Sequence, residues 1–246
     1  PWGSDFEAAA LAQRLSSRRT PVDEMDGLID AFAQAAGPEK AKRLTAYHEA
    51  GHAVSNFYLD HVDPVHQISI IPRGMAGGYT LHRPTEDKNY TSKNEMLDSL
   101  VGLLGGRVAE ALVIGDVSTG ASNDIERATE IARSMVTKYG MSDKLGPIAF
   151  GDQSNEVFLG KDFNHVRNYS ESVASQIDEE IERIVKDAYS RTKEILSEHI
   201  DKLHAVAQAL LKEEKIDGKE FEAIMKGEQQ PAEAEPQPET APEAAE

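Results

Sequence analysis

The feature that most constrains this chain is a pair of histidines four residues apart, His48 and His52, with Glu49 directly after the first. Residues four apart lie on the same face of an α-helix, so both imidazoles can reach a single metal ion. Histidine nitrogens bind zinc at about 2.0–2.1 Å, a distance that two such side chains can satisfy together. Glu49 lies beside the pair, where its carboxylate can take a proton from water without being a ligand. The pattern predicts a zinc site with Glu49 as its general base.

The surrounding residues predict the helix that such a site needs. Gly37 and Pro38 form a helix start, because proline is tolerated in the first turn. Apolar and small residues then recur at steps of three and four, which predicts a helix from Pro38 to about Leu59. This stripe consists of Leu44, Tyr47, Gly51, Val54 and Tyr58. The competing interpretation is a chance match on an ordinary core helix. Burying two histidines and a glutamate there without a partner would be costly, which favours the metal site.

Composition limits the ligands and partners of the chain. Its 246 residues include no cysteine, so a zinc site must be built from histidine and carboxylate. A formal net charge of −17 disfavours nucleic acid as a partner, because phosphates would be repelled. No apolar run reaches the roughly 20 residues that span a bilayer, and no signal-peptide pattern is present. The chain as given is therefore expected to be soluble.

Hydrophobic periodicity predicts a mainly α fold with a small β-sheet beside the motif helix. The stretch from His66 to Ile71 alternates apolar and polar positions and is predicted to be a strand, with a second strand from Gly74 to Leu81. Ser92 and Glu95 form a capping-box pattern ahead of a helix that runs to about Leu112. Further helices are predicted over residues 6–15, 22–36, 123–139, 170–199 and 203–210, and from Asp217 onward.

A catalytic zinc usually takes three protein ligands, so a third residue must complete the site. The zinc-binding spacing H-E-x-x-H-x-x-G-x-x-H is excluded, because it would need a histidine at the position of Tyr58. Asp124 lies on the apolar face of its predicted helix, and Glu110 lies near the apolar stripe of the preceding helix. Each also has an ordinary interpretation, Asp124 as an acid at a helix start and Glu110 as the ion-pair partner of Arg107. The pattern alone leaves both carboxylates open as ligands.

Several motifs, in order along the chain, resemble those of one known family. They are the run from Thr45 to Ala53, Ile-Pro-Arg-Gly at 71–74, Gly-Tyr-Thr at 78–80, Leu-Gly-Gly-Arg-Val-Ala-Glu at 104–110 and Ser-Thr-Gly-Ala-Ser-Asn-Asp-Ile-Glu-Arg-Ala-Thr at 118–129. Tyr-Gly-Met-Ser at 139–142 and Leu-Gly-Pro at 145–147 follow. Together they make residues 37–227 similar to the peptidase domain of the FtsH family of membrane-anchored, ATP-dependent zinc proteases.

The resemblance implies a zinc-dependent endopeptidase domain. In the family pattern His48, His52 and Asp124 bind one Zn²⁺ per chain, Glu49 is the catalytic base and Glu110 orients a ligand. The resemblance also implies a homo-hexamer and polypeptide substrates that are unfolded or membrane proteins. ATP would be used only by the full-length enzyme, anchored at the cytoplasmic face of the inner (plasma) membrane. Apolar helices over 170–211, which exceed the needs of one small domain, point to the same hexamer.

The resemblance also divides the chain. Residues 1–4 are interpreted as an expression scar, 5–36 as a remnant of the ATPase lid, 37–227 as the protease domain and 228–246 as a disordered acidic tail rich in Pro, Ala and Glu. The sequence contains no G-x-x-x-x-G-K-[ST] motif, and Ala111 stands where the family commonly has a second glutamate. These departures predict a fragment of a longer enzyme that cannot itself hydrolyse ATP.

Two other classes of function compete with the endopeptidase. One is a proteolytically inactive helical module for assembly, which would need no intact histidine pair. The other is a zinc hydrolase of small amides or esters, which only the shape of a substrate groove could separate from a protease. For a protease, the glycine-rich second strand is the candidate edge to which an extended peptide adds, and a plain flexible loop is its competing interpretation. The predicted substrate-binding residues are Met75, Ala76, Gly77, Gly78, Tyr79 and Thr80.

Overall fold

The computed structural model describes residues 37–72, 77–83, 90–150 and 169–228. In chain order these residues form α1 (Pro38–Phe57), β1 (Val65–Ser69), β2 (Tyr79–His82), α2 (Lys93–Ala109), a π-helix (Glu110–Ile114), a 3₁₀ turn (Thr119–Ala121), α3 (Ser122–Thr137), α4 (Glu171–Glu198), α5 (Ile200–Glu213), β3 (Lys215–Asp217) and α6 (Gly218–Lys226). The prediction of a mainly α fold with a small sheet is confirmed. The helices predicted over 6–15 and 22–36 and the tail beyond residue 228 lie outside the described residues.

Helix α1, which carries the histidine pair, packs backbone to backbone against α2. A Cβ atom on Gly51 of α1 would lie 2.4 Å from the carbonyl oxygen of Gly105 in α2, too close for any side chain. A Cβ on Gly105 would in turn lie 2.6 Å from the carbonyl oxygen of Gly51. The predicted capping box at the start of α2 is present, with Ser92 as N-cap and Glu95 closing it. The two glycines therefore bring the backbone of α2 within hydrogen-bonding reach of the side chains on α1.

Among the described residues, the sheet has three antiparallel strands in the order β2-β1-β3, so β2 and β3 are its edges there. Ile68 at the centre of β1 pairs with Thr80 on one side and with Ile216 on the other. The two predicted strands are observed, although both are shorter than predicted, at Val65–Ser69 and Tyr79–His82. The sequence analysis did not predict the third strand, β3, which joins the sheet from the far end of the chain.

Two groups of buried side chains lie on either side of α2. One joins α1, the sheet, α5 and α6, and the other joins α2, α3 and α4. The helices over 170–211 contribute their apolar residues to these cores; fully or nearly buried are Ile177, Ile181, Ile184, Leu203 and Leu210. At these positions the apolar residues belong to the chain's own core, and the hexamer stays a prediction. Among the described residues, no helix is both long and apolar enough to cross a membrane.

Candidate metal centre

The ring of His48 is oriented by a buried carboxylate. Its Nδ1 lies 2.7 Å from Oε1 of Glu110, a residue only 1% exposed. A carboxylate accepts hydrogen bonds, so Nδ1 carries the proton and donates it, which leaves Nε2 at the opposite side of the ring. The ring also lies flat against α2, because a Cβ on Gly106 would come within 2.5 Å of it. Glu110 and Gly106 together fix the direction in which Nε2 points.

The ring of His52 is oriented in the same way by a backbone carbonyl. Its Nδ1 donates to the carbonyl oxygen of Gly102, one turn before Gly106 on α2, at 2.8 Å. The Nε2 atoms of His48 and His52 are consequently brought to 3.1 Å from each other. Outer partners of this kind on the second nitrogen are what hold metal-binding histidines in their productive tautomer.

Asp124 faces both free nitrogens. It lies in the first turn of α3, and its Oδ2 is 3.4 Å from Nε2 of His48 and 3.3 Å from Nε2 of His52. Atoms bound to one zinc at 2.0–2.1 Å and at tetrahedral angles lie about 3.3–3.4 Å apart. The three observed separations, from 3.1 to 3.4 Å, are close to this value. Two imidazole nitrogens and one carboxylate are a donor set that zinc accepts, so the residues present fit the ion.

The electrostatics of this cluster favour a cation. Burial alone would lower the pKa of His48, but hydrogen bonds with Asp124 and Glu110 and the nearby charge of Glu49 raise it to about 9. Burial alone would raise the pKa of Asp124, and the hydrogen bonds with His48 and His52 outweigh it and hold this pKa well below its usual range. The pKa of Glu110 is lowered for the same reason, against burial, by His48 and Ser118. The negative groups thus stay ionised around the two rings.

Glu49 lies beside the cluster on α1, and the sheet holds its carboxylate in place. The residue is 6% exposed, and Thr80 of β2 donates from Oγ1 to its Oε2 at 2.8 Å. Burial raises the pKa of Glu49, partly offset by the charges of His52 and His48 and by the Thr80 hydrogen bond. Oε1 lies toward Gly78, where a Cβ would be only 2.8 Å away. Glu49 is thus placed next to the three candidate ligands without being one of them.

Glu110 also ties the site to the segment that leads into α3. Its Oε2 accepts the backbone N–H of Ser118 at 2.7 Å, and its Oε1 accepts the Ser118 hydroxyl at 3.0 Å. Arg107, which the sequence offered as an ion-pair partner of Glu110, instead reaches the carbonyl oxygen of Ser118 at 3.5 Å. Glu110 begins the π-helix after α2, a rare helical form that often occurs at functional sites.

The structure thus places the sequence-predicted residues as follows. His48, His52 and Asp124 come together, Glu110 contacts His48 from the other side of its ring, and Glu49 lies alongside. Of the predicted substrate-binding residues, Gly77 to Thr80 lie at or just before β2, and Met75 and Ala76 lie outside the described residues. Sequence reasoning missed three contributions: the Gly102 carbonyl, the Ser118 hydrogen bonds and the contact of Thr80 with Glu49. The glycines of α2 at 102, 105 and 106 allow another element to approach this backbone closely, and this spacing could have pointed to the Gly102 carbonyl.

A helical domain with two histidines, a facing carboxylate and an adjacent glutamate defines a metallopeptidase-like class of site. Comparison with known proteins agrees: the sequence profile of peptidase family M41 matches residues 36–224. The chain therefore belongs to peptidase family M41, and it is a peptidase domain of the FtsH type, as the motifs predicted.

Three curated relatives illustrate this similarity. The "ATP-dependent zinc metalloprotease FtsH 1" of Thermoanaerobacter sp. (strain X514) is 56% identical over 230 residues, 90% of this chain and 37% of that protein. The FtsH proteins of Thermotoga maritima (51% identical) and Bacillus subtilis (48%) each align with 89% of this chain and with 37% and 36% of their own length. The chain thus spans little more than a third of the length of the relatives it matches.

Proposed function

We propose that this chain is the zinc-dependent endopeptidase domain of an ATP-dependent, FtsH-type protease, with His48, His52 and Asp124 as the metal ligands. The observation that carries this proposal is the set of three mutual distances of 3.1–3.4 Å between the two Nε2 atoms and Oδ2 of Asp124. Family membership and the names of the relatives, all zinc metalloproteases, support the choice of metal.

The chemistry that zinc supplies when bound is polarisation of the scissile carbonyl and a lowered pKa of the attacking water. Glu49 takes the proton from that water. Thr80 donates to Oε2 and restrains the carboxylate, and we assign the proton to Oε1. Glu110 keeps the proton of His48 on Nδ1, and the Gly102 carbonyl does the same for His52. The Nε2 atoms that face Asp124 are therefore the nitrogens directed at the metal position, and metal binding there would displace the proton that Nε2 of His48 carries.

The two competing functions fit less well. An inactive assembly module has no need for two rings whose tautomers are both fixed from outside, nor for a glutamate held beside them. A hydrolase of small amides or esters differs from a peptidase in the shape of substrate that it accepts. In the part of the chain that the structure describes, β2 is an edge strand beside Glu49. That edge suits an extended chain better than a compact small molecule.

Removal and return of the metal test the proposal. The chain is stripped of metal with a chelator, dialysed, and assayed with unfolded casein before and after adding one equivalent of zinc. We expect cleavage to disappear without metal and to return with zinc, while the circular dichroism spectrum stays that of a folded helical protein. Cleavage that is unaffected by metal removal, or zinc-loaded protein that cleaves no peptide, would contradict the proposal.

The substrate site stays a proposal of its own. An extended peptide would add to the free edge of β2 and be held mainly through its backbone. A variant at Gly78 tests this poorly, because the contact of Gly78 with Glu49 means that a side chain there would disturb the base directly. The substrate offers a cleaner probe. A peptide methylated on backbone nitrogens flanking the scissile bond should show a raised KM, whereas an unchanged KM would remove the edge from the substrate site.

Assembly and the ATP-dependent functions are also proposals. A homo-hexamer, unfolded or membrane-protein substrates, and membrane anchoring at the cytoplasmic face of the inner membrane are proposed for the full-length protein on the family resemblance. Apolar residues of α4 and α5 are buried in the chain's own core. Those residues therefore give no separate support to the hexamer. We propose that this chain forms the hexamer even without the ATPase domain. Light scattering of the chain alone at micromolar concentration should then give the mass of six chains, and a mass of one chain would contradict this.

A further inference from the structure

The edge strand β2 and the glutamate beside the metal centre are in direct contact. Thr80 and Gly78 are two residues apart, and in a strand such residues project to the same face. Both meet the side chain of Glu49: Thr80 through its hydroxyl, and Gly78 through the space left by its missing Cβ. The intervening Tyr79 lies on the other face, where its hydroxyl hydrogen-bonds with Gln67.

The hydrogen-bond geometry fixes the direction of the Thr80 contact. Its Oγ1 lies 2.8 Å from Oε2 of Glu49 and 3.3 Å from the backbone carbonyl oxygen of Glu49. Both are acceptors, so the hydroxyl must be the donor, and the shorter distance assigns its proton to the carboxylate. The Thr80 donor uses one acceptor site of the carboxylate and restrains its orientation.

The surroundings leave the carboxylate little freedom. A Cβ at position 78 would lie 2.8 Å from Oε1 of Glu49, 2.9 Å from its Cγ and 2.8 Å from the carbonyl oxygen of Ser69. The backbone at Gly78 therefore lies directly against the glutamate side chain. With Glu49 only 6% exposed, Gly78 on one side and Thr80 on the other hold its carboxylate in one place.

We propose that Thr80 is a positioning residue for the reaction: its hydroxyl holds Oε2 of Glu49 so that Oε1 is presented to the attacking water. This inference rests on the proposed function, in which Glu49 is the general base. It reassigns the Thr80 side chain, which the sequence analysis placed among the substrate-binding residues. The strand to which Thr80 belongs remains the proposed edge that a peptide would join.

A set of substitutions at position 80 tests the role. Thr80→Val keeps the shape and the branching at Cβ and removes only the hydroxyl. For a group that orients a catalytic side chain, we expect kcat to fall about 10–100-fold. KM for an unmodified peptide and the zinc content should stay unchanged, because the strand backbone and the ligands are untouched. Thr80→Ser, which keeps the donor, should restore most of kcat.

Controls separate this role from a loss of fold. Thr137→Val removes a hydroxyl that bonds the carbonyl oxygen of Arg133 at the far end of α3, and it should leave kcat at the parent value. If Thr80→Val does not fold, Thr80→Ser and Thr80→Ala provide the comparison, since both are smaller than threonine and only the first retains a donor. A raised KM with unchanged kcat in Thr80→Val, or equal kcat values in the serine and alanine variants, would overturn the proposal.

A structural readout separates this proposal from the proposed function. A parent chain that binds zinc and cleaves nothing contradicts the endopeptidase, whereas a parent that cleaves and a Thr80→Val variant that cleaves equally well contradicts only the positioning role. Crystals of the parent and of Thr80→Val, grown without metal, show the carboxylate directly. We expect one position of the Glu49 carboxylate in the parent and a displaced or divided one in the variant. An identical position in both would overturn the role whatever the activity.

Discussion

Helix α2 and its π-helical continuation hold two buried carboxylates, each paired with a histidine, and only one of the two histidines faces a group of residues that could hold a metal ion. Near the start of α2, Asp98 accepts from Nδ1 of His61 at 2.8 Å and from Nη1 of Arg191 at 2.7 Å. At the other end, Glu110 accepts from Nδ1 of His48 at 2.7 Å. Both carboxylates are almost fully buried, at 3% and 1% exposure. The chemistry of the two pairs is the same up to this point.

The difference lies beyond the ring. The side chain of His61 is 44% exposed, and an arginine completes the surroundings of Asp98, so this pair ties the loop after α1 to α2 and α4. His48 turns its second nitrogen inward, where it meets His52 and Asp124. Within the described part of the chain, these three are the residues whose ligand atoms are grouped closely enough to hold a metal ion. A buried His–carboxylate pair therefore indicates a metal site only when the free nitrogen faces further ligands.

The largest expected effect is the loss of peptide cleavage in Glu49→Gln, a change that should leave metal binding intact. Glu49→Gln keeps the shape of the side chain and removes its ability to take a proton, so peptide cleavage should fall by about 100- to 10,000-fold. Zinc content should be unchanged, since Glu49 is not among the ligands. Glu130→Gln, at an exposed position of α3, is the matched control and should retain full activity. A Glu49→Gln variant that cleaves casein at the parent rate would show that another group is the base.

Removing the facing carboxylate should break the metal centre itself. Asp124→Ala takes away one of three ligands and leaves two imidazoles, so we expect the zinc to be lost on dialysis. Metal analysis by mass spectrometry measures the zinc per chain. Asp187→Ala, which removes an exposed carboxylate paired with Arg183, should keep a full complement. Full zinc occupancy in Asp124→Ala would transfer the ligand role to another residue, with Glu110 the first to examine.

Replacing the buried carboxylate by alanine at the two ends of the helix should affect different quantities, zinc affinity at Glu110 and folding stability at Asp98. Glu110→Ala removes the partner that orients His48, and zinc affinity should fall about 10–100-fold. Asp98→Ala removes the acceptor of His61 and Arg191, whose side chains are about half exposed and can bond to water instead, so the free energy of unfolding should fall by about 0.5–1.5 kcal/mol. Its zinc affinity should match the parent. Titration with a zinc-binding dye and urea denaturation of both variants measure the two quantities. Equal losses of zinc affinity in both would remove the distinction between the pairs.

A smaller effect is expected from the glycine that the His48 ring lies against. In Gly106→Ala the new Cβ would meet the ring at 2.5 Å, so the ring must move away from its position. We expect a loss of zinc affinity smaller than that of Glu110→Ala, because Glu110 still holds Nδ1. Gly146→Ala, where a Cβ would meet nothing within 4 Å although the φ of +75° strains a side chain, should lower stability and leave the zinc affinity of the folded protein unchanged. An unchanged affinity in Gly106→Ala would show that contact with α2 does not orient the ring.

Much of this arrangement was predictable from the sequence, for physical reasons that are local. The spacing of His48 and His52 within a helix determines that both rings share a face, and the capping boxes at Ser92 and Asp217 mark two helix starts that the structure confirms. The ligand roles of the two histidines and of Asp124 stay predictions. The geometry nevertheless separates the two carboxylates that the sequence left open, with Asp124 facing Nε2 and Glu110 facing Nδ1.

The rest depends on contacts between distant segments. Strand β3 has three residues, too few for a pattern of alternation, and it exists because Ile216 pairs with Ile68 across the sheet. The π-helix after α2 continues an apolar helical pattern, so nothing in the sequence marks the change of pitch. The hydrogen bond from Thr80 to Glu49 depends on how the sheet lies against α1, which neither segment specifies alone. Local patterns thus predict elements and spacing, while tertiary packing decides which atoms meet.

The central claim is that two rings with fixed tautomers and one facing carboxylate form a site ready for zinc. Anomalous diffraction at the zinc edge, from crystals of zinc-loaded protein, tests it most directly. We predict a single peak at about 2.0–2.2 Å from Nε2 of His48, Nε2 of His52 and a carboxylate oxygen of Asp124. Nδ1 of His48 should remain on Glu110, as in the metal-free arrangement. A peak bound by Glu110, or no peak between the two rings, would contradict the account.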